Sequence, residues 1–477
     1  MENPDHIYIT TPIYYVNDVP HVGHAYTTIA ADVVARYWRA KDHIVFFQTG
    51  TDEHGQKIAD AAKAAGQEPR EFVDSLAPRF QELWKRFNIS ADAFIRTTDP
   101  KHERYAQQFF AKLYEQGDIY KDMYEGLYCV GCEEYKTATD LVGGLCPLHP
   151  NKVIQQQKEE NYFFKLTKYA DQVLAAIESS QLVISPVERR NEVVARLKAG
   201  VRDLSISRKS VSWGVQVPWD TDHTFYVWVE ALLNYLSVLD ANSKSDFWPP
   251  TYQLMAKDIL WFHAAIWPAL LFASDKPLPK QIFAHGFFTV NGQKMSKSFG
   301  NFIDPNPLID RYGVDATRYL LISAMKFGSD GDLAVGKFDE LYTGELSNGL
   351  GNLLQRTVTL LKRAGLTIEP GAQPSCADVD TAIEALWLDE GLRGVWKIVA
   401  DANRRLEIAK PWELLDSKQQ TANSEQLQTI LTTAYRQLET IAAGLAPYMP
   451  ETSELILEQL RTLEPKPLFP RLDKPAL

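Results

Sequence analysis

Two histidines bracket a glycine in His21-Val22-Gly23-His24, and two lysines stand in Lys294-Met295-Ser296-Lys297-Ser298, about 270 residues further on. Imidazoles can donate to phosphate oxygens, and a glycine between them lets a nucleotide approach the backbone. Lysines on a loop with Gly292 and Gly300 near its ends can close on a leaving polyphosphate. A third group has the spacing of metal hooks: Cys129-x2-Cys132 and Cys146-x2-His149, with thirteen residues between the pairs. Thiolates and imidazole suit tetrahedral Zn²⁺, and Gly131, Gly143 and Gly144 supply tight turns around it. With no fifth position such a site is structural. Its metal contributes about 10–16 kcal/mol of apparent binding energy to a knuckle without its own core. Each motif also has a plain reading, as surface histidines, a solvated basic turn, or a disulfide or unrelated cysteine pairs. The histidine and lysine motifs gain weight together, and the zinc reading from three cysteines crowded into one stretch.

The elements that must position these groups are legible in outline. The first motif follows an apolar run, Ile7-Tyr8-Ile9-Thr10, and opens a helical pattern through Ile29, Val33, Val34 and Tyr37. The second follows Phe287-Phe288-Thr289-Val290 and a hairpin signal, Asn291-Gly292. Strand, loop and helix start is where an α/β sheet holds phosphates, because free N–H groups and the helix dipole favour anions. Further strands are expected at residues 45–48, 253–256 and 281–284. Residues 118–205 read as an insertion rich in turns and aromatics. Beyond about 340 the period becomes helical. Leu346, Leu350, Leu353, Leu354, Val358 and Leu361 form one buried stripe, and further helices at about 378–410 and 424–446 predict a bundle.

A chain of 477 residues with 45% hydrophobic content supports about three domains. A net charge of −11 argues against a blanket nucleic-acid coat. It leaves room for local basic patches at Arg189-Arg190, Lys362-Arg363 and Arg404-Arg405. Four cysteines do not suggest an oxidised scaffold, and Cys376 reads as a free thiol in a loop. No long apolar run and no leader pattern is visible, so a cytoplasmic protein without a membrane partner is expected.

The two signatures, in this order and context, resemble the signature pair of class I aminoacyl-tRNA synthetases. Other stretches carry the resemblance to the methionyl-tRNA synthetases over essentially the whole chain: residues 12–17 (PIYYVN), 50–55 (GTDEHG), 206–208 (ISR), 226–231 (YVWVEA), 257–263 (KDILWFH), His285-Gly286, 348–352 (NGLGN) and 410–412 (KPW). The resemblance implies an α/β fold with a Rossmann-like parallel-sheet catalytic domain, split by a zinc-knuckle insertion and followed by an all-α helical bundle. The expected boundaries are 1–117 and 206–290 for the two catalytic halves and 118–205 for the insertion. The lysine loop and stem-contact region takes 291–340, and the anticodon-binding helices 341–477. The chain stops soon after those helices, without the appended dimerisation module of some relatives, so a monomer is expected.

The implied activity is ATP-dependent attachment of L-methionine to tRNA(Met) through a methionyl-adenylate, for initiation and elongation. Asp52 is placed for the substrate ammonium and Arg208 for its carboxylate. Ile13, Tyr15, Trp228, Tyr235, Ile259 and His263 match positions around the thioether, where aromatics suit a polarizable sulfur. The Tyr235 hydroxyl or the Ile13 backbone would donate weakly to that sulfur. His21, Gly23, His24, Asp258, His285, Gly286 and Lys297 are implied at ATP, with His21, His24, Lys294 and Lys297 catalytic. Asn352, Arg356 and Trp412 match residues that read the CAU anticodon. One structural Zn²⁺ and Mg²⁺ with ATP complete the set. Leucine, isoleucine and valine enzymes usually carry a much larger editing insertion than the roughly 90 residues here. Small adenylyltransferases lack the helical C-terminal region, and a catalytically silent RNA-binding paralogue would not need both signatures and Asp52.

Overall fold

Six parallel strands form the main sheet: His6–Tyr15, Ile44–Asp52, Ala93–Arg96, Val183–Ser185, Tyr252–Ala256 and Gln281–His285. Their spatial order places Ala93–Arg96 at one edge, then Ile44–Asp52, His6–Tyr15, Tyr252–Ala256, Gln281–His285 and Val183–Ser185. All five pairings are parallel. The order reverses at His6–Tyr15, so a switch point opens between it and Tyr252–Ala256. Open α/β sheets bind ligands at the carboxyl ends of the strands at such a point. The central strands are buried on both faces, which is why they read as unbroken apolar runs. The expected strands at residues 7–10, 45–48, 253–256 and 281–284 each fall within an observed one. The first runs on to Tyr15 across Pro12, because the register shifts between Thr10 and Ile13 and the ladder is relieved of the donor that proline lacks.

The computed structural model describes residues 6–131, 134–136, 141–147, 152–290, 292–295, 301–371, 375–416 and 422–472. Cys132, His149, Asn291 and Lys297 lie outside the described residues. The chain forms two units, Met1–Pro20, His43–Lys85 and Ser90–His285 in the first, and His21–Asp42, Arg86–Ile89 and Gly286–Leu477 in the second. Besides the parallel sheet, the first unit holds a four-stranded antiparallel sheet of Glu134–Lys136, Ile119–Cys129, Gln155–Phe164 and Leu204–Ser205, in that order. The helices Leu166–Glu178 and Val187–Lys198 flank Val183–Ser185, which returns the chain to the parallel sheet.

The second unit opens with the helix Val22–Ala40. Phe288–Val290 pairs antiparallel with Gln293–Lys294 and parallel with Gly331–Asp332. Gly292 turns the hairpin at φ 73°. The helical region follows. A π-helical stretch, Tyr342–Gly351, leads straight into the α-helix Asn352–Ala364, and the six predicted stripe residues are all buried. The helix expected over 378–410 is two, Ala377–Glu384 and Leu388–Ala409, parted where Leu386 takes a left-handed φ of 56°. Arg318 is wholly buried here. Its guanidinium pairs with Asp32 at 2.8 Å and donates to the carbonyls of Tyr448 (2.7 Å), Phe87 (3.2 Å) and Pro447 (3.2 Å). Among the described residues no helix is long and apolar enough to cross a membrane.

Candidate active site

His21 is the N-cap of the helix Val22–Ala40. Its Nδ1 accepts from the Gly23 N–H at 3.0 Å, and the His24 Nδ1 accepts from the His21 N–H at 3.2 Å. This is a capping box made of two imidazoles, and the rings stack with centroids 3.8 Å apart. A neutral imidazole that accepts at Nδ1 carries its proton on Nε2. Burial, and then the neighbouring His21, push the His24 pKa well below the usual range. The lowered pKa and the accepting Nδ1 both favour the neutral form of the His24 ring. Gly23 has a purpose the sequence did not reveal: a Cβ there would lie 2.8 Å from the His21 ring carbon Cε1. The Met295 methyl carbon comes within 3.7 Å of that same Cβ position, so the lysine motif reaches the histidine motif. Gly286 is likewise fixed by packing, since a Cβ would meet the Ser329 carbonyl at 2.3 Å.

In the first unit, Asp52 ends its strand beside Tyr15 and is buried. Its carbonyl accepts from the Val16 N–H at 3.1 Å. The Tyr15 hydroxyl donates to the His54 carbonyl at 3.1 Å, and its ring lies 6.4 Å from that of Trp228. Trp228 stacks on Phe262 at 4.5 Å and 12°. Phe262–Ile266 is π-helical, a geometry that recurs at functional sites. It carries His263, whose Nδ1–H donates to the Ile259 carbonyl at 3.0 Å. Burial outweighs that bond and lowers the His263 pKa to about 4. Its Nε2 thus holds a lone pair, and the Tyr235 hydroxyl donates to it at 2.8 Å. The Tyr235 hydroxyl proton thus points at His263 in this arrangement. Arg208 is buried with its guanidinium 4.1 Å from the Tyr226 ring, and its Nη1 donates to the carbonyls of Ser205 (3.2 Å) and Ser207 (2.7 Å). Asp258 is exposed on the turn after Tyr252–Ala256, and His285 pairs in register with Ala256.

Sequence reasoning missed the buried acids behind these residues. Glu53 accepts a bidentate pair from Arg96, at 2.7 and 2.8 Å, and hydroxyls from Thr51 and Thr98. Glu230 is buried too, and receives His54 at 2.9 Å and His102 at 2.8 Å. Desolvation pushes the Glu230 pKa up, but the two histidines more than offset it, and the carboxyl stays below its ordinary range. The one available signal was two acids, Glu53 and Glu230, inside otherwise apolar or catalytic-looking stretches.

Of the metal candidates, Cys129 ends the strand Ile119–Cys129 and is buried, as is Cys146. Val142 and Leu145 bond to each other across Gly143 and Gly144, whose φ values of 61° and 79° make the predicted tight turn. Among the described residues no group of three possible ligands gathers. Cys376 is a free, buried thiol. In the helical region Asn352 is exposed one turn before Arg356. Arg356 lies 4.9 Å over the Trp412 ring and pairs with Glu407 at 2.7 Å.

Comparison with known proteins places this arrangement. The family model described as tRNA synthetases class I (M) matches residues 7–153 and 151–358. A methionine–tRNA ligase of Caldanaerobacter subterraneus is 42% identical over 96% of this chain and 74% of its own length. That of Nostoc sp. is 41% identical over 95% of this chain and 89% of its own. The structure of Mycobacterium tuberculosis methionyl-tRNA synthetase in complex with methionyl-adenylate superposes with a TM-score of 0.88, at 36% identity and over 99% of both chains. Matched over nearly its whole length in sequence and in fold, the chain belongs to the class I tRNA synthetases, in their methionyl-tRNA synthetase family.

Proposed function

We infer that this chain activates L-methionine with ATP and esterifies tRNA(Met) with it, in the cytoplasm and as a monomer. The observation that carries the activity is the similarity, over nearly the full length of both chains, to an enzyme solved with methionyl-adenylate. Methionine-dependent ATP–pyrophosphate exchange, run across all twenty amino acids, tests it. Exchange with another amino acid, or with none, would reject it.

The methionine carboxylate attacks the α-phosphate in line and pyrophosphate leaves. Positioning and charge stabilisation dominate such transfers. Asp52 holds the ammonium and Arg208 the carboxylate. Tyr15, Trp228, Tyr235 and His263, with Ile13 and Ile259, enclose the thioether by dispersion and sulfur–aromatic contact. His21 and His24 donate Nε2–H bonds to the phosphate as it becomes pentavalent, and Lys294 and Lys297 supply positive charge. Gly23, Asp258, His285 and Gly286 belong to the adenosine side. Mg²⁺ accompanies ATP and offsets the charge of its phosphates. The adenylate is then attacked by the terminal ribose of the tRNA.

The buried thiols of Cys129 and Cys146, one beside a two-glycine turn, suit a zinc knuckle completed by Cys132 and His149. Metal analysis is expected to find about one zinc per chain. Cys146→Ser should lose it and expose the insertion to protease while the C-terminal helices stay protected. A metal-free native protein of normal activity would overturn the assignment.

Asn352, Arg356 and Trp412 are proposed to read the anticodon. Loop bases can be splayed out, stacked on an aromatic ring and bonded along their edges, with stacking contributing about 1–3 kcal/mol per base. Trp412→Ala should impair aminoacylation about 5- to 100-fold on that scale, yet leave methionine-dependent pyrophosphate exchange unchanged. Equal loss of both would assign Trp412 to the fold instead.

A further inference from the structure

We propose that Glu230 is a positioning residue for methionine, a role that rests on the function proposed above. Glu230 lies on the short helix Val227–Ala231, two residues from Trp228, and is wholly buried. One carboxylate oxygen accepts from the His54 Nδ1–H at 2.9 Å, and the other from the His102 Nε2–H at 2.8 Å. Each bond leads to a different part of the methionine site. His54 follows Asp52 by two residues, and its carbonyl anchors the Tyr15 hydroxyl. His102 stands on the helix Pro100–Glu115, and its Nδ1 meets the Ser237 hydroxyl at 2.8 Å. Ser237 is two residues past Tyr235 on the helix Asn234–Ala241.

A single carboxylate thus joins the segment of Asp52 and Tyr15 to those of Trp228 and Tyr235. Packing alone does not call for this, because apolar side chains of the same volume fill such a space without burying a charge. A charge-assisted bond to each oxygen instead fixes both flanking segments to one short, directional span. Such a span holds the ammonium site at a set distance from the aromatic groups around the thioether. Both of its bonds run to the methionine side of the site.

The test is Glu230→Gln, which keeps the shape and removes the charge. The new side-chain oxygen can accept from one histidine, but the amide nitrogen must donate where the carboxylate accepted, so one link breaks or survives only as an uncharged bond to the other tautomer of its histidine. In a protein shown by circular dichroism to be folded, the KM for methionine in pyrophosphate exchange should rise about tenfold or more, as for small misplacements of reacting groups. The KM for ATP should stay at its native value. His102→Gln retains a donor toward Glu230 and should give a smaller rise, again confined to methionine. It decides the matter if the first variant does not fold. Native methionine KM in a folded variant, or an equal rise for ATP, would overturn the role of Glu230. Absence of methionine-dependent exchange in the unaltered protein would instead reject the function on which it rests.

Discussion

Asp52→Asn is expected to raise the KM for methionine by a factor between about 30 and several thousand, the equivalent of roughly 2–5 kcal/mol for removing one partner of a desolvated charge pair. Asp52 is buried at the carboxyl end of a strand, where the substrate ammonium is proposed to sit. Asparagine keeps the volume and one acceptor oxygen but not the charge. An ammonium brought against it would be desolvated without a counter-charge. The neighbouring acids cannot substitute, since Glu53 is held by Arg96 and Glu230 by His54 and His102. ATP affinity measured without methionine should be close to native. Collapse of ATP binding instead would show that Asp52 had been placed on the wrong substrate.

Lys297→Ala should slow adenylate formation by about 100- to 1,000-fold, the effect of deleting one preorganised charge stabiliser. The Nδ1 atoms of His21 and His24 both accept within the capping box, and the His24 ring favours its neutral form. The histidine motif therefore offers hydrogen bonds, and Lys297 is proposed to meet the negative charge that grows on pyrophosphate. Methionine KM should be little changed. Single-turnover measurement separates the two, and a native rate would remove the loop from the chemistry.

The four central parallel strands could be read from sequence because burial leaves a plain apolar run, as in Val45-Phe46-Phe47-Gln48, whereas the short edge strands Ala93–Arg96 and Val183–Ser185 could not. Nor could the antiparallel sheet of the insertion. Gln155–Glu160 is wholly polar, yet it pairs residue by residue with Tyr128 back to Met123. Its order comes from the ladder and shows no alternation. The signature residues were legible because motif and spacing carry them. The network behind them was not, because its members lie far apart: His102 and Glu230 are 128 residues apart, and His102 sits in Lys101-His102-Glu103-Arg104, which reads as a solvated helix face. Gly23 shows a third case, a residue found by its motif whose reason, clearance for the His21 ring, needs coordinates.

The buried Arg318 guanidinium sets a timetable for the chain as it is made. Helix Val22–Ala40, with His21 and His24 at its start, leaves the ribosome well before Arg318. Its Asp32 pairs with Arg36 on the same helix and with Arg318, and Arg318 in turn bonds the carbonyls of Pro447 and Tyr448. At about 5–20 residues per second, the more than 400 residues between Asp32 and Tyr448 take some 20–80 s to appear. Until then the guanidinium has Asp32 and the Phe87 carbonyl but lacks two of its acceptors, and burying it half-satisfied would be costly. The helix Val22–Ala40 and the turn at Pro447 and Tyr448, far apart in the chain, therefore meet on one guanidinium.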